Sequence, residues 1–170
     1  MKRRSVRVLP VDRDGQVLLL LGLDPARPSA PYWFTIGGGV ETGETVEEAA
    51  VREMHEETGT RVETSQLVGP FHRGTHAFSF AGVDYLSDST FFAVAVDDVT
   101  VTFDGLEEAE VGAILDARWW APDDLVSGMS LSSLDLAAIA RAAVAALRRP
   151  AADPVGDAAA EAAERERGGA

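Results

Sequence analysis

At 170 residues the chain is long enough for one domain with a sizeable core, and its 46% hydrophobic and 25% charged content is that of an ordinary globular protein. A net charge of −13 argues against a nucleic-acid-binding surface, which needs a basic stripe, and against long polyanions as ligands. There is no cysteine, so a disulfide framework, a thiolate metal site and a cysteine nucleophile are all excluded.

The amino-terminal apolar run before Asp12 is too brief for a signal peptide, and nothing elsewhere approaches a membrane span, so cytoplasmic residence without a membrane partner is expected. Residues 5–11 and 16–23 read as two strands joined by Asp12-Arg13-Asp14-Gly15, which supplies hairpin turn chemistry. The second is apolar almost throughout, as a strand covered on both faces should be. Residues 24–31 hold three prolines and form a loop, and 32–36 form a short strand leading into Gly37-Gly38-Gly39.

A helix follows. Thr45 is a good N-cap, Glu48 completes a capping box, and Gly59 stands where a left-handed C-terminal cap is wanted. At about 100° per residue, Val46, Ala49, Ala50, Glu53 and Glu57 share one stripe, with Glu56 on its flank. Glu53 and Glu57 thus fall where periodicity calls for Leu or Ile. A solvated acidic face would place the acids opposite Ala49 and Ala50, which this sequence does not do. Two half-buried carboxylates side by side are costly unless a cation neutralises them, and a hard divalent ion with oxygen ligands, Mg²⁺ or else Mn²⁺, is the economical partner.

Farther on, residues 61–72 read as a strand broken near Gly69-Pro70, 75–80 and 83–87 as strands paired about Ala81-Gly82, and 90–96 as an apolar strand. Residues 97–110 form an acidic connection, and 113–120 return to strand character, with Trp119 and Trp120 on opposite faces. Pro122 opens a short helical turn. Ser133 is expected to cap an amphipathic helix in which Leu136, Ile139, Ala140, Ala143, Val144 and Leu147 recur at helical spacing, with Pro150 as its stop. From Ala151 onward large apolar residues are nearly absent, so residues 1–149 are expected to form the domain and 150–170 a mobile C-terminal tail. Strands interrupted by one helix and closed by another imply an α/β fold, a mixed sheet sandwiched between helices.

The segment around the glycines resembles the Nudix box, G-x5-E-x7-R-E-U-x-E-E-x-G-U with U a bulky aliphatic. Gly38 is followed by Glu44 and then by Arg52-Glu53-Met54-His55-Glu56-Glu57-Thr58-Gly59-Thr60, with Thr60 a weak match at the last position. The resemblance implies an α/β/α Nudix-type sandwich and a metal-dependent hydrolase of phosphoric anhydrides. Carried over by position, it makes Glu53, Glu56 and Glu57 catalytic metal ligands, with a glycine-loop carbonyl at Gly37 or Gly38 as a further ligand. Arg52, also a candidate catalytic residue, is placed to pair with Glu48 and Glu56 at four-residue spacing, a pairing that orients carboxylates. Glu44 is expected either to neutralise Arg52 or to favour the helix N-terminal dipole, and a supporting role is expected for both. An additional catalytic carboxylate is expected in the acidic connection, where Glu110 is the choice over Glu107 and Glu108.

Two departures bear on substrate. Ile36 replaces a proline common before the glycines, and Leu21 stands where many members carry an arginine, so phosphate contact is expected from Arg27 or Arg73 instead. Trp33 is a candidate for stacking a base, although a core role is the better expectation for an aromatic just before the box, and Tyr32 and Phe34 are alternatives. His72 and His76 are further candidates for touching substrate, with a structural role the commoner one for lone histidines. Around His76, Ala77 and Phe78 there is neither the proline associated with ADP-ribose hydrolysis nor the tyrosine associated with dinucleoside polyphosphates. The expected substrate is therefore a nucleoside diphosphate linked to another group, with a nucleoside triphosphate, oxidised forms included, preferred to a nucleotide sugar. The alternatives are an ADP-ribose or nucleotide-sugar pyrophosphatase and a non-catalytic nucleotide-sensing module on the same fold. A homodimer is compatible with these expectations, and an isopentenyl diphosphate isomerase is not, because that chemistry uses a cysteine.

Overall fold

The computed structural model describes residues 2–97, 99, 101–103, 113–126, 128–129 and 135–149. The expected tail, the candidate acids Glu107, Glu108 and Glu110, and Ser133 lie outside these residues. Six strands form one mixed sheet: β1 (Lys2–Val11), β2 (Val17–Gly22), β3 (Tyr32–Phe34), β4 (Leu67–Phe80), β5 (Val83–Ala95) and β6 (Ile114–Trp120). β1 pairs in parallel with β5 along its whole length, and the other pairings are antiparallel.

The hairpin of β1 and β2 is paired only where Val11 meets Val17. Beyond that point the two strands diverge, and the chain leaving β3 fills the fork. Val8 bridges Ile36 and Ser5 bridges Gly39, while the N–H groups of Val6 and Val8 donate to the carbonyls of Gly38 and Ile36 at 3.0 and 2.9 Å. The glycine loop is thereby part of the sheet rather than a free excursion, and its backbone polar groups are paired.

Helix α1 (Val46–Thr58) covers one face and helix α2 (Leu136–Arg148) the other. Strand alternation sorts the apolar side chains between them. Val6, Val8, Leu18, Leu20, Phe92 and Val94 pack beneath Ala49, Ala50 and Met54 of α1, whereas Leu9, Val11, Val17, Leu19, Phe91 and Ala93 pack beneath Leu136, Ile139, Ala140 and Ala143 of α2. β2 contributes to both clusters, as its continuous apolar run predicts. Trp119 joins the α1 side and Trp120 the α2 side, so their opposite facing is as expected. No helix among the described residues is long and apolar enough to cross a membrane.

Three expectations are corrected. Residues 61–63 are not strand: a 3-10 turn at Thr64–Gln66 precedes β4, which runs unbroken through Gly69-Pro70 because the register shifts between Val68 and His72, a bulge that accommodates a residue without an N–H. The segments 83–87 and 90–96 are one strand, since Ser87 and Ser89 are buried and hydrogen-bonded to Ser5 at 2.6 and 2.5 Å, so this polar stretch has no need of solvent. The N-cap of α2 is Asp135, whose carboxylate accepts from the Ala138 N–H at 3.0 Å.

Candidate functional site

The capping box at the start of α1 is fully formed. Thr45 Oγ1 accepts from the Glu48 N–H at 3.1 Å, and the Glu48 carboxylate accepts from the Thr45 N–H at 2.8 Å. These contacts hold the Glu48 carboxyl below its ordinary value and commit it to the cap, so it does not pair with Arg52. At the far end Gly59 adopts φ 73° and donates to His55 O.

Between the caps the unusual stripe is buried. Glu53 is 6% exposed and Glu57 3%, level with Met54 and Ala50 of the core, while Glu56 is half-buried. The Glu57 carboxylate accepts from the Gly37 N–H at 2.7 Å, tying the helix to the glycine loop. Gly38 lies against the Glu53 carboxylate, which a Cβ there would displace, and at Gly37, where φ is 127° and a Cβ would overlap the Val6 carbonyl, glycine is required.

Arg52 gathers the rest. Its Nε and Nη2 donate to the two oxygens of Glu44 at 2.9 and 3.1 Å, its Nη1 to Glu53 and Glu56 at 3.0 and 2.8 Å, and its Nη2 also to Gly39 O at 3.0 Å. The guanidinium holds the Glu44 carboxyl below its ordinary value, and Glu44 in return raises the arginine pKa. Arginine suits this position because its planar fork reaches several acceptors at fixed angles, which an ammonium cannot do.

The three glutamates form one wall of a cavity of about 530 Å³, within the usual size range of small-molecule sites. The rest of the lining includes Arg3 and Arg7 on β1, Tyr32 and Phe34 on β3, and His76, Phe78 and Tyr85 on the ribbon of β4 and β5. Arg7 is deep among protein atoms yet keeps part of its surface open to the cavity; burial lowers its pKa, and Glu57 and Glu53 partly oppose that shift. The Arg7 Nη1 donates to the Gly37 carbonyl. Burial, reinforced by the charges of Arg7, Arg3 and His72, depresses His76 to about 4, so its ring is neutral near pH 7.

The other candidates fall elsewhere. Trp33 points away from the cavity and packs edge-on against Trp120 at 5.1 Å beneath α2, because it alternates with Tyr32 and Phe34 along β3. Arg27 is in the exposed loop, 4.0 Å from Asp24. Arg73 is exposed on β4, on the face opposite His72 and His76. His72 packs against Phe91, whereas His76 does line the cavity. Sequence reading missed Arg3, Arg7, Phe78 and Tyr85. The available signal was Arg7 itself, a charged residue set between Val6 and Val8 inside an apolar strand.

Among the described residues no three side chains of ligand type converge on one point. The donor set nevertheless fits a hard divalent cation: it is all oxygen, two of the carboxylates are buried side by side, and the missing Cβ of Gly38 leaves a cradle against Glu53. Gly38 O already accepts from Val6 and keeps one lone pair.

The chain is similar to several known proteins. An oxidized purine nucleoside triphosphate hydrolase from Danio rerio is 39% identical over 74 residues, 44% of each chain. The nucleoside triphosphatase NudI from Enterobacter sp. (strain 638) is 41% identical over 68 residues, 39% of this chain and 48% of that one. The aligned region thus spans somewhat less than half the length of these relatives. A solved MutT NUDIX hydrolase from Burkholderia pseudomallei superimposes with a TM-score of 0.57 at 21% identity, covering 86% of this chain and 98% of that one, which is a likeness of fold. The NUDIX domain model matches residues 1–146, the whole sheet and nearly all of both helices, and the chain therefore belongs to the NUDIX domain family.

Proposed function

We propose that the protein is a divalent-cation-dependent hydrolase of a phosphoric anhydride in a nucleotide, with a nucleoside triphosphate, oxidised forms included, preferred to a nucleotide sugar. The observation that carries this reading is the placing of Glu53, Glu56 and Glu57 in one cavity with arginines and aromatic rings. Relatives named for nucleoside triphosphates support the substrate class.

Glu53, Glu56 and Glu57 would hold Mg²⁺ or Mn²⁺, with the Gly38 carbonyl as a further donor. When bound, such an ion neutralises phosphate charge and makes water a better nucleophile. The chain's own part is orientation: Arg52 fixes Glu53 and Glu56, and the Gly37 N–H fixes Glu57. Glu53 is the candidate for accepting the proton of the attacking water; Glu110, outside the described residues, is the other. Tyr32 and Phe34 take the place proposed for Trp33 in stacking a base, worth roughly 1–3 kcal/mol per base in other proteins. With free nucleotides as substrates, the cytoplasm is the proposed compartment.

The test is a panel at equal Mg²⁺: canonical and oxidised (d)NTPs, ADP-ribose, nucleotide sugars, dinucleoside polyphosphates and NADH. Fastest release of pyrophosphate or phosphate from a triphosphate supports the reading. Fastest turnover of a nucleotide sugar would move the substrate class, and tight nucleotide binding without turnover would make the chain a sensing module.

A further inference from the structure

A polyanionic substrate entering this cavity meets three carboxylates, on a chain whose net charge is −13. Three arginines line the cavity among the described residues: Arg3, Arg7 and Arg52. Arg52 is occupied by Glu44, Glu53, Glu56 and Gly39 through all three of its nitrogens. Arg3 and Arg7 differ. The Nε of each is buried without a hydrogen-bond partner, an arrangement that costs free energy unless something else satisfies it.

Their placement is orderly. Four residues apart on one strand, the two share a face of β1, with Cα atoms roughly 13 Å apart at the usual rise per residue. Arg7 is at the end near Gly37 and feels the charges of Glu57 and Glu53. Arg3 is at the other end, its guanidinium 5.2 and 5.3 Å from the ring centres of Phe78 and Tyr85, which stack on each other at 5.1 Å. That stacking fixes the plane of Arg3 before any ligand arrives. Between the two, Ser5, Ser87 and Ser89 satisfy one another below the surface, so small side chains rather than bulk separate the cations. The low pKa of His76 reports, after burial, the same concentration of positive charge.

We infer that Arg7 and Arg3 form an anion track that leads away from the glutamate wall and receives a chain of phosphates, Arg7 the group nearer the scissile bond and Arg3 the group farther from it. This rests on the phosphoanhydride reading above and deepens it, since a two-point track selects a linear polyphosphate over a single phosphate. It also replaces the phosphate contacts expected from Arg27 and Arg73, which do not reach the cavity.

The test separates the track from the hydrolysis. Binding of inorganic tripolyphosphate, pyrophosphate and orthophosphate to the full chain is measured by calorimetry in EDTA, for the wild type, Arg3→Met, Arg7→Met and the corresponding lysine variants, each with its melting curve. Wild type should bind tripolyphosphate at least ~10-fold more tightly than orthophosphate, each methionine variant should weaken it ~10-fold or more, and the lysine variants should recover part of the loss. Affinity unchanged in Arg3→Met and Arg7→Met, or no preference of the wild type for the longer anion, overturns the track. If a methionine variant does not fold, the length preference of the wild type and the fall of its affinity with added salt decide the question. Turnover with Mg²⁺ but without these binding differences defeats the track alone, and the binding differences without turnover defeat the hydrolase reading alone.

Discussion

Arg52 grips Glu44 through two atoms, Nε and Nη2, eight residues back along the chain and across the turn that opens α1. The pair is only 24% and 14% exposed, so solvent screens it less than an ordinary surface ion pair. Glu44 acts as an anchor that leaves Nη1 free to orient Glu53 and Glu56. Arg52→Lys, which keeps the charge and loses the fork, should therefore lower kcat ~10-fold or more while moving KM little. Stability should fall by about 1–3 kcal/mol, read as a denaturation midpoint. A lysine variant with wild-type kcat would show that the fork has no part in positioning.

Glu53→Gln, Glu56→Gln and Glu57→Gln should each cut turnover by about 10²-fold or more. Their apo stabilities should differ. Glu57→Gln keeps an acceptor for the Gly37 N–H and removes a buried charge, so its melting temperature in EDTA should hold or rise. Glu56→Gln loses a charge-assisted bond from Arg52 and should fall slightly. Added Mg²⁺ should raise the wild-type melting temperature by mass action, and that increment should vanish in Glu57→Gln. An increment of equal size in all three variants would place the cation elsewhere.

His76 predicts a pH dependence. Its ring, beside Arg3, Arg7 and His72, protonates near 4 in the fold and near 6.5 in the unfolded chain. Between those values the unfolded state binds more protons, so stability rises with pH across the window and is lost as pH falls from 6.5 toward 4. His76→Phe should flatten the stability profile there relative to the wild type, measured by denaturant midpoints at several pH values. Parallel profiles would mean that His76 titrates normally.

Asp24 ties two distant loops together. Its buried carboxylate accepts from the N–H groups of Ala26 at 2.9 Å and of Ala81 at 2.8 Å, and these bonds hold its pKa below the ordinary value. The stabilisation is present above that ordinary value and is lost as pH falls through the lower, folded one. Asp24→Ala should lower the melting temperature and speed amide exchange at the β4–β5 turn, while Asp24→Asn should recover part of the loss. Ala81 itself has φ 52°, unfavourable for alanine, so Ala81→Asn should stabilise by about 0.5–1 kcal/mol. A destabilised Ala81→Asn would contradict the turn geometry.

The elements whose signals are local were legible from the sequence. α1 announces itself through Thr45, Glu48 and Gly59, and its buried acids follow from periodicity alone, because a helix fixes direction every residue. The cavity's far wall was not legible, because it depends on pairing between strands far apart in sequence. Nothing near Arg3 says that Ser87 will lie opposite it, and nothing near Phe78 says that Tyr85 will stack on it beneath an arginine. Trp33 takes the core role that suits it better, and the proposed stacking role passes to Tyr32 and Phe34, one step of strand alternation away.

The fork between β1 and β2 has a metric consequence. One strand carries Arg3 and Arg7 on its face and, through Val6 and Val8, is hydrogen-bonded to the glycine loop that anchors Glu57. The spacing from the arginines to the glutamates is thus set by backbone register, which changes only in whole residues. With the track so fixed, the site works as a ruler: a ligand of the right span meets both ends at once, and one that is a phosphate short must give up one of them. The β4–β5 ribbon, whose Phe78 and Tyr85 support Arg3, has its tip held to the rest of the molecule by the carboxylate of Asp24.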